Sequence, residues 1–184
     1  MPRGIIIFGP PGAGKTTLGR LTAKRLDFPY FDIDDYIWKK TAVPFTEMYS
    51  RAEKAGRLMA GISKHAHFVM AGSMDSFHAD FDPLFDLAVY LTANPEIRMA
   101  RIHQRELDNF GERILEGGDM YEEHRRFISD DYPNRQKHLE WLEELPCKVI
   151  RLDGETELSK NAEIIANEYL KITTYGENQC KATI

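Results

Sequence analysis

The sequence predicts an α/β fold of three layers, with helices on both faces of a five-stranded parallel sheet. Three observations carry that expectation. Short, β-branched apolar runs alternate with stretches of helical period along the chain. The strongest runs are continuously apolar, as in strands buried on both faces. The length of 184 residues suits one domain with a sizeable core, or one domain with a mobile insert.

"GIIIF", residues 4–8, reads as the first strand. A glycine-rich turn follows, then a helix from about Lys15 to Leu26. "YFDI", 30–33, is a second short strand. From Met48 the apolar positions Met48, Ala52, Ala55, Met59 and Ile62 step by four and three, which is helical spacing. "HFVMAG", 67–72, and "DLAVYLT", 86–92, are the third and fourth strands. "NPEIRMARIHQREL" opens a helix with Asn94 as N-cap and Pro95 at the first helical position. "CKVIRLDG", 147–154, is the fifth strand, and Leu158, Ala162, Ile165 and Tyr169 mark a last helix. From Thr173 the tail "TTYGENQCKATI" has no periodicity and reads as an appendage, 173–184, to a domain of residues 1–172.

Composition excludes several classes. Lysine and arginine number 24 against 29 acids, a net charge of −5, which argues against nucleic acid or an anionic membrane as partner. Cys147 and Cys180 form no pair motif, and the histidines show no ligand spacing, so metal-cluster and disulfide readings are weak. No apolar run approaches the ~20 residues that span a bilayer. The chain enters its first strand without a signal-like segment. The expectation is a cytoplasmic protein acting on a small molecule, as monomer or homodimer.

Gly9-Pro-Pro-Gly-Ala-Gly-Lys15-Thr16 fits G-x-x-x-x-G-K-[ST], the Walker A pattern. Its glycines let backbone N–H groups turn inward toward phosphate oxygens, and the following helix aims its positive end at the same point. Gly9, Gly12, Ala13, Gly14, Lys15, Thr16 and Thr17 are thus the expected cradle. Lys15 can reach the β- and γ-phosphates, and the Thr16 hydroxyl can ligate Mg²⁺. The plain alternative is a turn that binds nothing, but this motif has the preceding strand and following helix that the mechanism needs. Asp32 and Asp34, two apart at a strand end, are expected to project to the same side, beside the phosphate loop. One role is to hold Mg²⁺ through a water, assigned to Asp32. The other is to orient an acceptor hydroxyl and take its proton late in transfer, assigned to Asp34. Helix capping by Asp34 or Asp35 is the alternative, and Asp35 is most simply a helix-start residue.

These motifs and the length resemble the small-molecule kinases related to adenylate kinase, nearest in layout to shikimate kinase and gluconate kinase, over residues 4–170. The resemblance implies the P-loop NTPase fold with strand order 2-3-1-4-5, a lid at about 108–120, and ATP with Mg²⁺ as donor. "EKAGRLMA" resembles the shikimate-kinase pattern E-x-x-F-R-x-x-E through Glu53 and Arg57, with Gly56 and Ala60 at the other two places. In that family the arginine grips the acceptor's anion, so Arg57 is a candidate beside the reading of a solvated helix arginine. Ala71-Gly72-Ser73 stands where the shikimate enzymes carry three glycines, which speaks against shikimate itself. Gly72 and Ser73 still lie where an acceptor's hydroxyls or phosphate are met.

"ARIHQREL" sets Arg101 and Arg105 on one helix face and resembles the adenylate-kinase stretch before the lid. That implies Arg101 on the adenine and Arg105 on phosphates. "NFGERILEGGDM", 109–120, is glycine-rich at the lid position, and Arg113 is expected to swing over the γ-phosphate. Arg135 resembles the late substrate-binding arginine of the shikimate enzymes. "RLDGETEL" resembles the loop bordering adenine, with Gly154 giving the close turn. Trp38 and Trp141 are expected to pack; Tyr36 and Phe45 belong to the core or to an acceptor pocket.

The function expected is an ATP-dependent phosphotransferase acting on a nucleotide, nucleoside or hydroxylated metabolite. The competing class is a P-loop ATPase or nucleotide-dependent switch acting on a protein partner. Such proteins usually carry an aspartate at the end of a Walker B strand, and "HFVMAG" and "DLAVYLT" end without one.

Overall fold

β1 (Arg3–Phe8) is the middle of the sheet, and Ile5, Ile6 and Ile7 within it are fully buried. A computed structural model describes residues 1–41, 47–74, 77–128 and 135–181, without the side chains at 135 and 175–181. β1 pairs in parallel with β3 (His67–Ala71) on one side and β4 (Phe85–Thr92) on the other. β2 (Tyr30–Asp32) adds to β3, and β5 (Lys148–Asp153) adds to β4. The order is β2-β3-β1-β4-β5, the expected P-loop arrangement.

Side chains alternate across this sheet. Ile6, Phe8, Met70 and Tyr90 face one core, against Leu58 and Ile62 of α3 (Arg51–Ile62) and Trp141 of α6 (Arg135–Glu144). Ile5, Ile7, Val69 and Val89 face the other, against Leu18 of α1 (Lys15–Leu26) and Ile165 of α7 (Leu158–Lys181). A strand covered on both faces must be apolar throughout, which is why β1 reads as an unbroken run. The remaining helices are α2 (Asp34–Ile37), α4 (Pro95–Phe110) and α5 (Tyr121–Phe127). α4 starts as expected, with the Asn94 side chain accepting from the Glu96 N–H at 2.9 Å.

Two expectations are corrected. Met48 lies outside α3 and bridges to Trp38 in an antiparallel pair, and the helix starts behind a capping box of Ser50 and Glu53. The buried residues of α3 are Lys54, Leu58 and Ile62, with Ala55 and Met59 half-buried beside them and Ala52 exposed, so the four–three stripe is offset from the inner face. The last helix also runs past residue 173 to Lys181. The Thr173 hydroxyl donates back to the Tyr169 and Leu170 carbonyls and the Thr174 hydroxyl to Leu170, so these residues sit in the helix without an apolar stripe. Residues 182–184 and Phe45 lie outside the described residues. Among the described residues no helix is long and apolar enough to cross a membrane.

Phe68, fully buried on β3, meets Phe31 and Phe85 edge-on at centroid distances of 6.5 and 6.3 Å. Phe68→Ala should lower stability by about 3–5 kcal/mol, read from the midpoint of a urea unfolding curve.

Candidate active site

The loop between β1 and α1 is gripped by backbone. Gly12 has φ +76°, and a Cβ there would lie 2.5 Å from the Arg98 carbonyl oxygen. A Cβ at Gly154, in the turn after β5, would overlap the Ala13 carbonyl. Arginines from α4 complete the grip. Arg98, 6% exposed, donates to the Ala93 and Pro11 carbonyls at 3.2 and 3.3 Å. Arg101 donates to the Gly12 and Gly154 carbonyls at 3.4 and 3.2 Å. The Pro11 and Gly12 carbonyls are thereby occupied, and the Pro10 carbonyl accepts from the Ala13 N–H at 3.4 Å.

Gly14 is the N-cap of α1 and supplies no side-chain bond to the first-turn N–H groups. A Cβ at Gly14 would meet nothing within 4 Å. Open space faced by helix N-terminal donors fits a phosphate group. Thr16 and Thr17 are exposed in the first turn, and the Thr16 side chain is hydrogen-bonded with Tyr30. Ala13, Gly14, Thr17, Arg101, Gly154 and Asn161 help line an adjoining cleft of about 320 Å³, which brings the expected adenine-side residues together.

Lys15 donates to the Pro10 carbonyl at 2.9 Å. Burial lowers its pKa to about 8; Asp34 and Asp32 pull it up, while Arg105 and Arg98 push it down. Asp34 stands in the same field. Its pKa is raised by burial first and then by Asp32, against the opposing pull of Lys15 and Arg105. The structure therefore brings Lys15, Asp32, Asp34 and Arg105 into one electrostatic unit.

The geometry of the acids differs from expectation. β2 ends at Asp32, and Ile33 already has helical angles (φ −63°, ψ −32°), so Asp34 is the first residue of α2. Asp32 and Asp34 therefore do not share a strand face. Asp32 accepts from the Asp34 N–H at 3.3 Å and from the Tyr30 hydroxyl at 3.2 Å. The helix start is thus bonded by Asp32, while Asp34 and Asp35 both lie in the first turn.

Beyond β3, the Ser73 hydroxyl and His138 Nε2 are 2.8 Å apart. His138 comes from α6, is 2% exposed and lies edge-on to Phe8. Burial, helped by the Lys15 charge, lowers its pKa to about 4, so the imidazole is neutral near pH 7. Gly72 follows β3 with φ +136°, against Ile33. Gly9 leaves β1 with φ +143° beside Leu91.

The other expected arginines divide. Arg57 is exposed on α3, with its guanidinium 4.3 Å from the Tyr49 ring centroid. Arg135 opens α6, and its side chain lies outside the described residues. Arg113 sits in a 3₁₀ turn, Gly111–Ile114, and makes a two-pronged ion pair with Asp119, both contacts at 2.9 Å. The expected lid is therefore folded onto itself: α4 reaches Phe110, Ile114 is buried, and α5 begins at Tyr121.

Sequence reasoning missed Arg98 and His138. Arg98 had a signal, since 98, 101 and 105 step by three and four along one helix face. His138 had none; the fold brings it 65 positions back to Ser73.

A family model described as "AAA domain" matches residues 5–116. An uncharacterized protein of Bacillus subtilis (strain 168), YqaC, is 27% identical over 172 residues, 89% of this chain and 95% of its own. A shikimate kinase of Psychrobacter arcticus is 29% identical over 107 residues, 53% of this chain and 58% of the kinase, so that match spans little more than half of either. Among solved structures, a gluconokinase from Sinorhizobium meliloti 1021 superposes with TM-score 0.52 at 15% identity, over 100% of this chain and 98% of that one. That last likeness speaks to the fold.

The Lys15 ammonium should titrate near pH 8 in the free protein, observed by lysine-resolved NMR, and lose that transition in Lys15→Met. The unfolded chain keeps the ordinary value of 10.5, so between about 8 and 10.5 it binds the proton that the folded protein has released. Stability should therefore gain a rising contribution from this group across that window. The difference between wild type and Lys15→Met, followed by urea unfolding at several pH values, should show the rise in wild type alone.

Proposed function

This chain belongs to the AAA domain family and has the fold of the P-loop small-molecule kinases, and from that premise we propose that it transfers the γ-phosphoryl group of Mg-ATP to a hydroxyl or phosphate of a small molecule. The observation that carries the reading is that Lys15 opens α1 behind the glycine loop and Asp34 opens α2 after β2, close enough that Asp34 is the strongest charged influence on Lys15 and Lys15 the second-strongest on Asp34. A cation beside an N-terminal helix cradle receives a phosphate chain; a carboxylate facing it receives the group that attacks.

Each residue has a distinct task. The N–H groups of the loop from Gly9 to Gly14, with Thr17, bind and orient the phosphates. Lys15 offsets charge on the transferring group. Arg105 adds positive potential from α4, and Arg101 borders the base. Thr16 and Asp32 would hold magnesium, which when bound supplies charge neutralisation between the phosphates. Asp34 orients the acceptor hydroxyl and takes its proton late in transfer; its raised pKa makes it a better base than an ordinary aspartate. Gly72 and Ser73, the latter fixed by neutral His138, line the acceptor wall.

Closure is the remaining task, and it falls to residues 108–120. In the free protein Arg113 is satisfied by Asp119, so its use on a phosphate requires exchanging one anion for another. Ligand binding supplies that second anion and at the same time excludes water, which would compete as acceptor.

Lys15→Ala should abolish acceptor-dependent ADP release in a coupled assay while circular dichroism stays native. Asp34→Asn should lower kcat by about a hundredfold or more and leave ATP affinity, measured by calorimetry, nearly intact. ADP release that proceeds at full rate without any small acceptor would instead indicate an ATPase acting on a protein.

Amides in 108–120 should exchange faster in the free protein than with an ATP analogue and acceptor bound. Arg113→Ala should reduce turnover by on the order of tenfold to a thousandfold. Equal protection with and without ligands would make the segment a fixed loop and remove Arg113 from the reaction.

A further inference from the structure

The most costly side chain left without a role is Lys54. It is 9% exposed, and it occupies the buried face of α3 directly in line with Leu58 and Ile62, which are fully buried. Its ammonium meets one polar partner among the described residues, the Met48 thioether, with Nζ 3.7 Å from the sulfur. A lysine ammonium carries three donors, and a thioether is a weak acceptor. A lysine packed this far into the protein against so weak an acceptor gains more from a stronger partner.

The acid nearest in sequence does not serve. Glu53 is engaged at the helix start, accepting from the Ser50 N–H at 2.8 Å and the Ser50 hydroxyl at 2.6 Å. Arg57, the expected anion grip, is exposed and stacked on Tyr49. The inward-facing cation of this helix is therefore Lys54.

Its place in the fold gives the direction. α3 is the crossover between the parallel strands β2 and β3, so it runs back against them. Its N-terminal turns lie level with the carboxyl ends of the strands, where Asp34 and Gly72–Ser73 stand. α3 ends at Ile62, five residues before β3 begins at His67, so at about 1.5 Å of rise per residue Lys54 lies roughly 12 Å back along the helix, toward the end at which β3 exits. Met74, one residue beyond Ser73, belongs to the same core cluster as Leu58.

We propose that Lys54 is a specificity-determining residue that admits acceptors by charge, binding a carboxylate or phosphate ester of the molecule whose hydroxyl or phosphate faces Asp34. This rests on the phosphotransferase reading above. A neutral acceptor leaves the buried ammonium unmatched; an anionic one replaces a thioether contact with a charge-assisted hydrogen bond. Lys54 touches the acceptor away from the reacting atoms, so it acts on binding.

The test uses the full chain loaded with ADP and magnesium, titrated by calorimetry with ligand pairs that differ only in the anionic group. Gluconate against glucose and shikimate against its methyl ester test a carboxylate. Nucleoside monophosphates against their nucleosides test a phosphate ester. The anionic member of one pair should bind about tenfold tighter or better, and Lys54→Met should erase the difference while Lys54→Arg keeps most of it. Lys54→Met should also raise the melting temperature of the free protein, because it removes a poorly matched buried charge. Neutral members binding as tightly as anionic ones, a difference that survives Lys54→Met, or a lowered melting temperature in that variant would each overturn the assignment. Failure of phosphoryl transfer has a separate signature: no acceptor-dependent ADP release from wild type, whatever the binding preference.

Discussion

The site rests on backbone packed against backbone. At Gly12 and Gly154 the phosphate loop lies so close to α4 and to the turn after β5 that a single methyl group would collide with a carbonyl. Carbonyls cannot be squeezed aside as a flexible side chain can, so the loop's shape is set by the spacing of the elements around it. Arg98 and Arg101 then take the outward carbonyls of Pro11, Gly12 and Gly154. The Pro10 carbonyl takes the Lys15 ammonium, and the first-turn N–H groups of α1 are left without a side-chain cap. The shape of the loop is thus a product of packing as much as of the motif.

That arrangement leaves charge in tension. Burial and two arginines work against the Lys15 ammonium, and two aspartates support it. Asp34 is strained in the opposite sense, with burial and Asp32 against its ionised form. Neither group is fully matched by protein, whereas Arg113 and Asp119 are matched by each other at the surface. A similar contrast separates buried His124, which bridges His103 at 2.8 Å and Glu106, from Lys54, which has a thioether. The well-matched pairs lie around residues 103–124, next to the segment proposed to move.

The sequence showed the sheet, its order by resemblance, and the phosphate loop, because each is written in contiguous residues. An unbroken apolar run, a glycine pattern and a following helix need no distant information. The acids were placed in the right neighbourhood but with the wrong relation, since nothing in "YFDIDD" says that the chain leaves the strand at Ile33. The helix of residues 51–62 was recognised from a stripe that is partly exposed, because its small alanines tolerate either face; the inward position belongs to a lysine that apolar counting skips. His138 could not be found at all from local pattern, being delivered by a helix that is distant in sequence. The last helix was cut short because threonines and a glycine look like a terminus when their hydroxyl bonds cannot be seen.

The contact between Ala13 and Gly154 has a consequence for the order in which the protein is made. β1 emerges from the ribosome first, yet both of its neighbours in the sheet, β3 and β4, come later, and the turn that closes over the loop comes after β5. The motif that looks most self-contained on paper is thus finished almost last. A nascent chain carrying the whole glycine-rich stretch but lacking its final crossover has the letters of a nucleotide site without the wall that shapes it. Such a chain also exposes the apolar β1 until its partners arrive, which makes this span of synthesis the one most open to wrong pairings.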